Sequence, residues 1–310
     1  MTGGPLFVSS GDVTADQHYG SALQRAARGD LAGAAEILAQ TVQLAPAFAT
    51  AWFALGAVRD SLGDRAGAIV AWRKANDADP EDYHGARLQL ARLGAGEDSP
   101  AMTAAYVRRL FDQQAASFDE TLLQRLDYCG PAVLLEAVRN VTGTGLRSGS
   151  MLDLGCGTGL GGAAFRPYVD WLVGVDISPA MVTKARSKGL YDRLAVLDLL
   201  HFLVVAADVF VYTSDLGPIA AAAARVLAPD GLFAFTVETY AGDGVVLQQT
   251  LRYAHGAAHV RAAIAAAGLN LLALNHAVTR KEKGAPVPSL VVVATSSNRE
   301  RSVPTVYSDA

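Results

Sequence analysis

The sequence has few features that would tie it to a membrane, the cell exterior or a nucleic acid. Only two cysteines occur, Cys129 and Cys156. That is too few for a disulfide framework, and no Cys/His spacing of a metal site appears. Basic residues are not in excess: the formal net charge is -4, the pI is about 5.9, and no stretch is strongly basic. Duplex nucleic acid is thereby excluded as the primary partner. No apolar run reaches the roughly 18 residues a membrane helix needs. The longest approach, Leu194 to Thr213, is broken by Asp198, His201 and Asp208. Met1 to Asp16 is rich in Gly and Ser, with no basic start and no apolar core, and does not read as a signal peptide. A soluble, cytoplasmic protein is expected, with no bound metal. What is abundant is apolar: 51% of the 310 residues are hydrophobic. One small core does not need so much, so two domains are expected.

Residues 17–94 carry a repeat. Pro46 and Pro80 lie 34 positions apart, and Gly29-Asp30, Ala34 and Leu38 overlay on Gly63-Asp64, Ala68 and Trp72. The second unit reads Trp52-x-x-Leu55-Gly56, Gly63-Asp64, Ala68, Trp72, Ala75, Pro80. Small residues allow close helix approach, large ones fill the gap, and the proline ends the second helix. The unit resembles the tetratricopeptide repeat, a helix-turn-helix of this length. The first unit departs from it, with His18 where Trp is usual. A third helix, Glu81 to Leu93, is expected to cap the stack. The repeats lack a cluster of Lys, Arg and Asn on one face, so no clamp for an acidic peptide terminus is predicted.

The expected division is a disordered N-terminus over 1–16, repeats over 17–94, linker and lid helices over 95–149, an α/β domain over 150–297 and a disordered tail over 298–310. Gly94 to Pro100 is the linker, followed by helices over Ala101 to Asp119 and Pro131 to Val141. From Ser150 strands and helices alternate. Strands are expected at Met151–Leu154, Trp171–Asp176, Leu194–Leu197, Leu203–Ala207 and Leu232–Val237, the last after a Pro229-Asp230-Gly231 turn. Helices are expected at Pro179–Lys188, Ile219–Leu227 and Val260–Ala267. Leu271–Ala277 and Leu290–Thr295 form a closing pair joined through Lys281 to Pro288. This order implies a mostly parallel sheet with helices on both faces. One spacing is anomalous: only Asp198 to Phe202 separate the third and fourth strands, where a parallel crossover takes a dozen or more residues. Either a crossover helix has been lost or the strand assignment is wrong.

The chemistry concentrates at Leu152-Asp153-Leu154-Gly155-Cys156-Gly157-Thr158-Gly159. An apolar strand runs into three alternating glycines, which let the backbone bend sharply and approach a ligand closely. Asp176 follows at the tip of the next strand, in Gly174-Val175-Asp176-Ile177-Ser178, where a carboxylate can accept hydrogen bonds from both hydroxyls of a ribose. Gly157, Gly159 and Gly162 also satisfy the G-x-G-x-x-G of a nicotinamide dehydrogenase. That frame starts late, and the acidic residue ahead of the first glycine opposes it.

Asp-x-Gly-x-Gly-x-Gly followed by Gly-Val-Asp-x-Ser resembles motif I and the acidic strand tip of class I S-adenosylmethionine-dependent methyltransferases, a Rossmann-like α/β fold. The resemblance implies S-adenosylmethionine as cofactor. Asp153 would meet its methionine amino group, directly or through water. Gly155, Gly157 and Gly159 would line the methionine and ribose. Asp176, with Ile177 beside it, would hold the ribose, and Asp198 and Leu199 would lie at the adenine. A wider resemblance, carried by Phe111-Asp112-x-x-Ala115-x-x-Phe118-Asp119, Lys184-Ala185-Arg186-x-Lys188-Gly189-Leu190-Tyr191, Ala207 to Tyr212 and Arg252 to His255, is to predicted bacterial methyltransferases with N-terminal tetratricopeptide repeats. It gives the reaction class and leaves the acceptor open, a small molecule or a protein side chain.

Methyl transfer asks a protein to orient donor and acceptor, exclude water and sometimes remove a proton. Asp208 and Tyr212, after the fourth strand, are the candidates for acceptor contact, with a cap or turn as the alternative for Asp208. Asp215 is a second carboxylate, more readily a turn former. His255 is the candidate general base, with a packing histidine as its alternative. Phe118 and Tyr106 are candidates for a lid or for simple helix packing. The repeats would recruit a protein partner or cover the active site, with packing against the catalytic domain as a structural arm as the alternative. The competing reading is a scaffold whose cofactor domain no longer turns over, supported by the short crossover and by Thr213-Ser214-Asp215, where the family tends to place glycine before the aspartate.

Overall fold

A computed structural model describes residues 7–96, 102–143, 145–194 and 201–296. The chain divides into two compact units, residues 1–116 with 247–252, and residues 117–246 with 253–310.

The first unit is helical: α1 Val13–Ala27, α2 Leu31–Leu44, α3 Ala49–Ser61, α4 Arg65–Ala78, α5 Ala86–Arg92 and α6 Ala104–Gln114. The 34-residue recurrence is visible in the capping. Asp30 accepts from Gly33 N–H at 3.0 Å, and Asp64 accepts from Gly67 N–H at 2.9 Å, each fixing the start of a second helix through an orphan donor. Ala34 and Ala68 are fully buried at matching positions, as are Leu38 and Trp72. Gly56 explains a close approach. A Cβ there would lie 2.5 Å from Cδ1 of the Trp72 indole, so α3 and α4 pack at this distance because the side chain is missing.

Two expectations change here. The N-terminal stretch is ordered from Phe7 on, not loose up to Asp16. Val8 N–H donates to Thr50 Oγ1 at 3.1 Å, Phe7 packs on Tyr19 and Phe48, and Asp12 caps α1. The fifth helix starts at Ala86, not Glu81, because Asp82 adopts φ +54 and its carboxylate caps the N–H groups of Ala86 and Arg87. Tyr106 belongs to this unit, its ring filling the space where Gly85 lacks a Cβ, 2.7 Å away.

The second unit is a sheet with helices on both faces. Its strands are β1 Ser148–Leu154, β2 Val169–Val175, β3 Arg193–Leu194, β4 His201–Ala206, β5 Leu227–Glu238, β6 Val245–Leu247, β7 Tyr253–His255, β8 Leu269–Glu282 and β9 Ala285–Ser296. The order is β3-β2-β1-β4-β5, all parallel, with β9 antiparallel on β5 and β8 antiparallel on β9. This is a Rossmann-like α/β sheet whose order reverses between β1 and β4, where such folds bind ligands. Its helices are α7 Phe118–Glu120, α8 Gly130–Thr142, α9 Leu160–Phe165, α10 Pro179–Ser187, α11 Gly217–Val226 and α12 Ala257–Ala266, with a π-helical turn over Thr121–Arg125.

Alternation along the strands divides the core. Leu152, Val204 and Val292 pack toward α11 and α12, while Met151, Val205, Val291 and Val293 pack toward α8 and Phe165. Consecutive apolar residues therefore fill opposite faces, as a strand buried on both sides requires.

The hairpin is longer than expected. Lys281 to Pro288 does not form a loop; the strands continue to a two-residue turn, Lys283-Gly284, with φ +50 and +81. Two successive positive φ values match the twist of a tight hairpin. Of the expected third strand only Leu194 is described as strand. Residues 195–197 lie outside the described residues, as do Asp198, Leu199 and the tail beyond residue 296. Pro229-Asp230-Gly231 does not form a separate turn ahead of the strand: it lies within β5 as an irregularity, where Asp230 has φ +58 and the pairing with β4 jumps. No helix among the described residues is long and apolar enough to cross a membrane.

Replacing Gly56 with Ala is expected to force Trp72 from its slot and to cost about 1–3 kcal/mol, as overpacking of a core does. Urea unfolding monitored by Trp fluorescence checks this; an unchanged midpoint would contradict the packing described.

Candidate functional site

The site is built where the tips of β1 and β2 lie side by side. Their register pairs Leu154 with Val175, so the bend after β1 and the carboxylate after β2 become neighbours. Gly155, Gly157 and Gly159 all take positive φ, +63, +53 and +96, a conformation that other L-residues adopt only under strain. Asp176 pins the bend: Gly157 N–H donates to its Oδ2 and Ser178 N–H to its Oδ1, both at 2.8 Å. Ser178 in turn caps α10 at Met181. Ile177, beside Asp176, is exposed.

The three glycines have different neighbours. A Cβ on Gly155 would strike Val209 at 2.5 Å, and one on Gly159 would crowd Tyr191 at 3.1 Å. Gly157 meets only the Phe118 ring, at an ordinary 3.7 Å. Its bare backbone thus borders the space bounded by Phe118. The Phe118 segment is tied to the loop by its neighbour, since Thr158 Oγ1 donates to Asp119 and Lys188 Nζ contacts Asp119 Oδ2 at 2.6 Å.

Asp153 lies beneath the loop with 2% of its surface exposed. Its Oδ2 accepts from the Tyr191 hydroxyl at 2.7 Å. Burial pushes its pKa up to about 7, against the lowering effect of the Tyr191 bond. The Cys156 thiol, 5% exposed, is pushed up by burial and by Asp153, which makes it an inert filler of the bend.

Beyond the tip of β4 lies a second polar group. Asp208 adopts φ +55, its N–H donates to Thr236 Oγ1 at 2.7 Å, and Thr236 donates back to its Oδ1 at 2.8 Å. Arg280 reaches Asp208 Oδ2 at 3.1 Å and also pairs with the buried Glu238. Burial works against the charge on Arg280, but the two carboxylates outweigh it and hold its pKa above the ordinary value. Tyr212 is half-buried and acts on the same guanidinium, while Tyr128, also half-buried, feels both Asp208 and Asp153. Asp215 caps the turn before α11, with Gly217 N–H at 2.8 Å.

His255 departs from its expected role. The residue is 0% exposed, with Nε2 3.4 Å from the Phe210 carbonyl oxygen and its ring stacked on His259. A general base must reach the proton it removes, and this ring is enclosed by core. Burial lowers its pKa to about 4, so it is neutral near pH 7.

The sequence reading assigned no role to Tyr191, Arg280, Glu238, Thr236 or Tyr128. Tyr191 had a faint signal, as the glycines it packs on include Gly162 and Gly174. Arg280 had none, being 72 residues from Asp208. Among the described residues no group of His, Cys, Asp and Glu could hold a metal ion.

Residues 152–235 match a family model described as a methyltransferase domain. A human protein, methyltransferase-like protein 27, is 33% identical over 110 residues, covering 35% of this chain. The chain spans less than half, 44%, of that relative's length. Among solved structures, the N-methyltransferase NodS from Bradyrhizobium japonicum, in complex with S-adenosyl-L-homocysteine, has a TM-score of 0.48 at 18% identity, covering 61% of this chain and 98% of that one. Magnesium protoporphyrin IX methyltransferase from Synechocystis has a TM-score of 0.47 at 17% identity, covering 63% of this chain and 97% of that one.

The pKa of His255 gives a pH test. Its folded value of about 4 lies below the ordinary 6.5, so the neutral ring contributes full stability above pH 6.5, and that contribution falls away as pH drops toward 4. Urea unfolding between pH 7 and 4.5 should show a shallower pH dependence for His255→Gln than for the parent; equal slopes would contradict the assignment.

Proposed function

Taking a class I methyltransferase domain as the premise, we propose that the chain uses S-adenosylmethionine to methylate a small molecule or a protein side chain. The observation that carries this reading is the left-handed glycine bend pinned to Asp176 above a buried Asp153. The residues fit such a cofactor. Bare backbone at Gly157 leaves room for close approach, and carboxylates flank the bend on both strand tips. A pyrophosphate fits less well, since two carboxylates repel its charge.

S-adenosylmethionine, when bound, supplies a methyl group activated by a cationic sulfonium. Asp153 would hold its ammonium end. Asp176 would hold the ribose hydroxyls, because a carboxylate oxygen has lone pairs for more than one donor. Gly155, Gly157 and Gly159 would keep the backbone in the left-handed bend beside it. Asp198 and Leu199 remain the proposed adenine neighbours. Phe118, held near the loop through Asp119, would exclude water. Asp208 and Tyr212 would face the acceptor. Asp208 has its carboxylate oriented by Thr236 and Arg280, which is how an acceptor contact is held to one geometry. The helical unit is read as a tetratricopeptide array that recruits a partner, supported by the recurrence of Asp30 and Asp64 as caps, and a cytoplasmic location is proposed.

Calorimetric titration with S-adenosylmethionine tests the reading. Saturable binding is expected, and incubation with methyl-labelled cofactor and cell extract should label an acceptor. Binding without any labelled product would favour the scaffold, and no binding would remove the proposal. In the same assay Asp176→Ala should weaken binding by about 1–3 kcal/mol through lost charge-assisted hydrogen bonds. An unchanged affinity would take Asp176 out of the site.

A further inference from the structure

Tyr191 occupies a closely fitted position near the glycine bend. It follows α10 through Gly189, which takes φ +65, and its ring turns back beneath the loop. Three glycines shape its slot. A Cβ on Gly162 would come within 2.5 Å of its Cζ, one on Gly174 within 2.7 Å of the ring, and one on Gly159 within 3.1 Å. The hydroxyl accepts from Gly162 N–H at 3.2 Å and donates to Asp153 Oδ2 at 2.7 Å. One side chain thus links the start of α9, the tip of β1 and the end of α10.

We infer that Tyr191 is a positioning residue for cofactor binding, its hydroxyl fixing the Asp153 carboxylate in one rotamer and in the ionised form that receives an ammonium group. The inference rests on the proposed function above, because it needs Asp153 to face the amino-acid end of the cofactor. Two facts beyond proximity support it. The hydroxyl can serve only as a donor toward Asp153, since burial and the Asp153 charge hold its own pKa far above the usual phenol range. And Asp153 sits where ionisation is contested. Burial raises its pKa, the Tyr191 hydrogen bond lowers it, the Asp176 carboxylate raises it and the Gly162 N–H lowers it. The other titratable groups facing it are Cys156 from the loop and Tyr128 ahead of α8, both held protonated by burial. A buried carboxylate so balanced is sensitive to a single donor.

The sign follows. Tyr191→Phe keeps the ring in its slot and removes the donor, so Asp153 takes up a proton at higher pH. The acid limb of cofactor binding should then shift to higher pH. The test compares parent and Tyr191→Phe by S-adenosylmethionine titration between pH 5.5 and 8.5, with carbon-13 NMR titration of the Asp153 carboxyl in the ligand-free proteins. Affinity at pH 7 should fall about three- to tenfold, with the two proteins converging toward pH 8.5, and the carboxyl midpoint should rise. In an Asp153→Asn background the same substitution should have no pH-dependent effect. Parallel binding curves, with the midpoint unmoved, would overturn the inference and leave Tyr191 a packing residue. An unmoved carboxyl midpoint would overturn it as well. A parent protein that binds no cofactor at any pH would instead overturn the reading of the pocket, and the NMR titration tells the two failures apart.

Discussion

The hydrogen bond from Gly157 N–H to Asp176 is the constraint on which the site depends. It joins a left-handed backbone that favours glycine to a carboxylate on another strand. The join is possible because β1 and β2 are adjacent, parallel and in register to their last residues. Sheet topology therefore does half of the positioning. The bend turns the chain into α9, and Ser178, held by the same carboxylate, starts α10. One aspartate thus sets the exits of two strands and the entry of one helix.

The second polar group follows a different logic. Glu238 and Arg280 are almost completely withdrawn from water and Asp208 partly so, and charges so placed persist only when paired and hydrogen-bonded. Replacing such a group by apolar residues of similar volume often costs a fold nothing. It gathers Glu238 from the end of β5, Asp208 from just beyond β4 and Arg280 from β8, and it holds the Asp208 carboxylate in one orientation. The left-handed backbone at Asp208 is a local strain of the kind that surrounding structure must sustain.

Much of this was legible in the sequence because its signals are local. Glycine spacing, the acidic strand tip and the 34-residue recurrence each lie within one or two elements, and each encodes a backbone demand that few other residues can meet. What escaped reading was long-range or geometric. His255 sits in a short strand whose burial depends on packing by the Phe210 segment and α12, so its local sequence could not distinguish a base from a core residue. The partnership of Tyr191 with Asp153 crosses 38 residues and depends on three glycines that look like ordinary loop and strand positions. Lys281 to Pro288 reads as a loop through its Lys, Gly and Pro content, yet the antiparallel partner keeps most of it extended.

The β8–β9 hairpin carries a further consequence. Between the pairs Val278–Pro288 and Lys281–Pro286 the register skips, so Thr279 and Arg280 together oppose Val287 alone. This bulge aims Arg280 inward. The bulge therefore decides which face of the ribbon Arg280 occupies. Removing its extra residue would slide the outer end of β8 by one position against β9 and carry the guanidinium to the opposite face. The electrostatics beside Asp208 are thus set by one local irregularity in strand pairing.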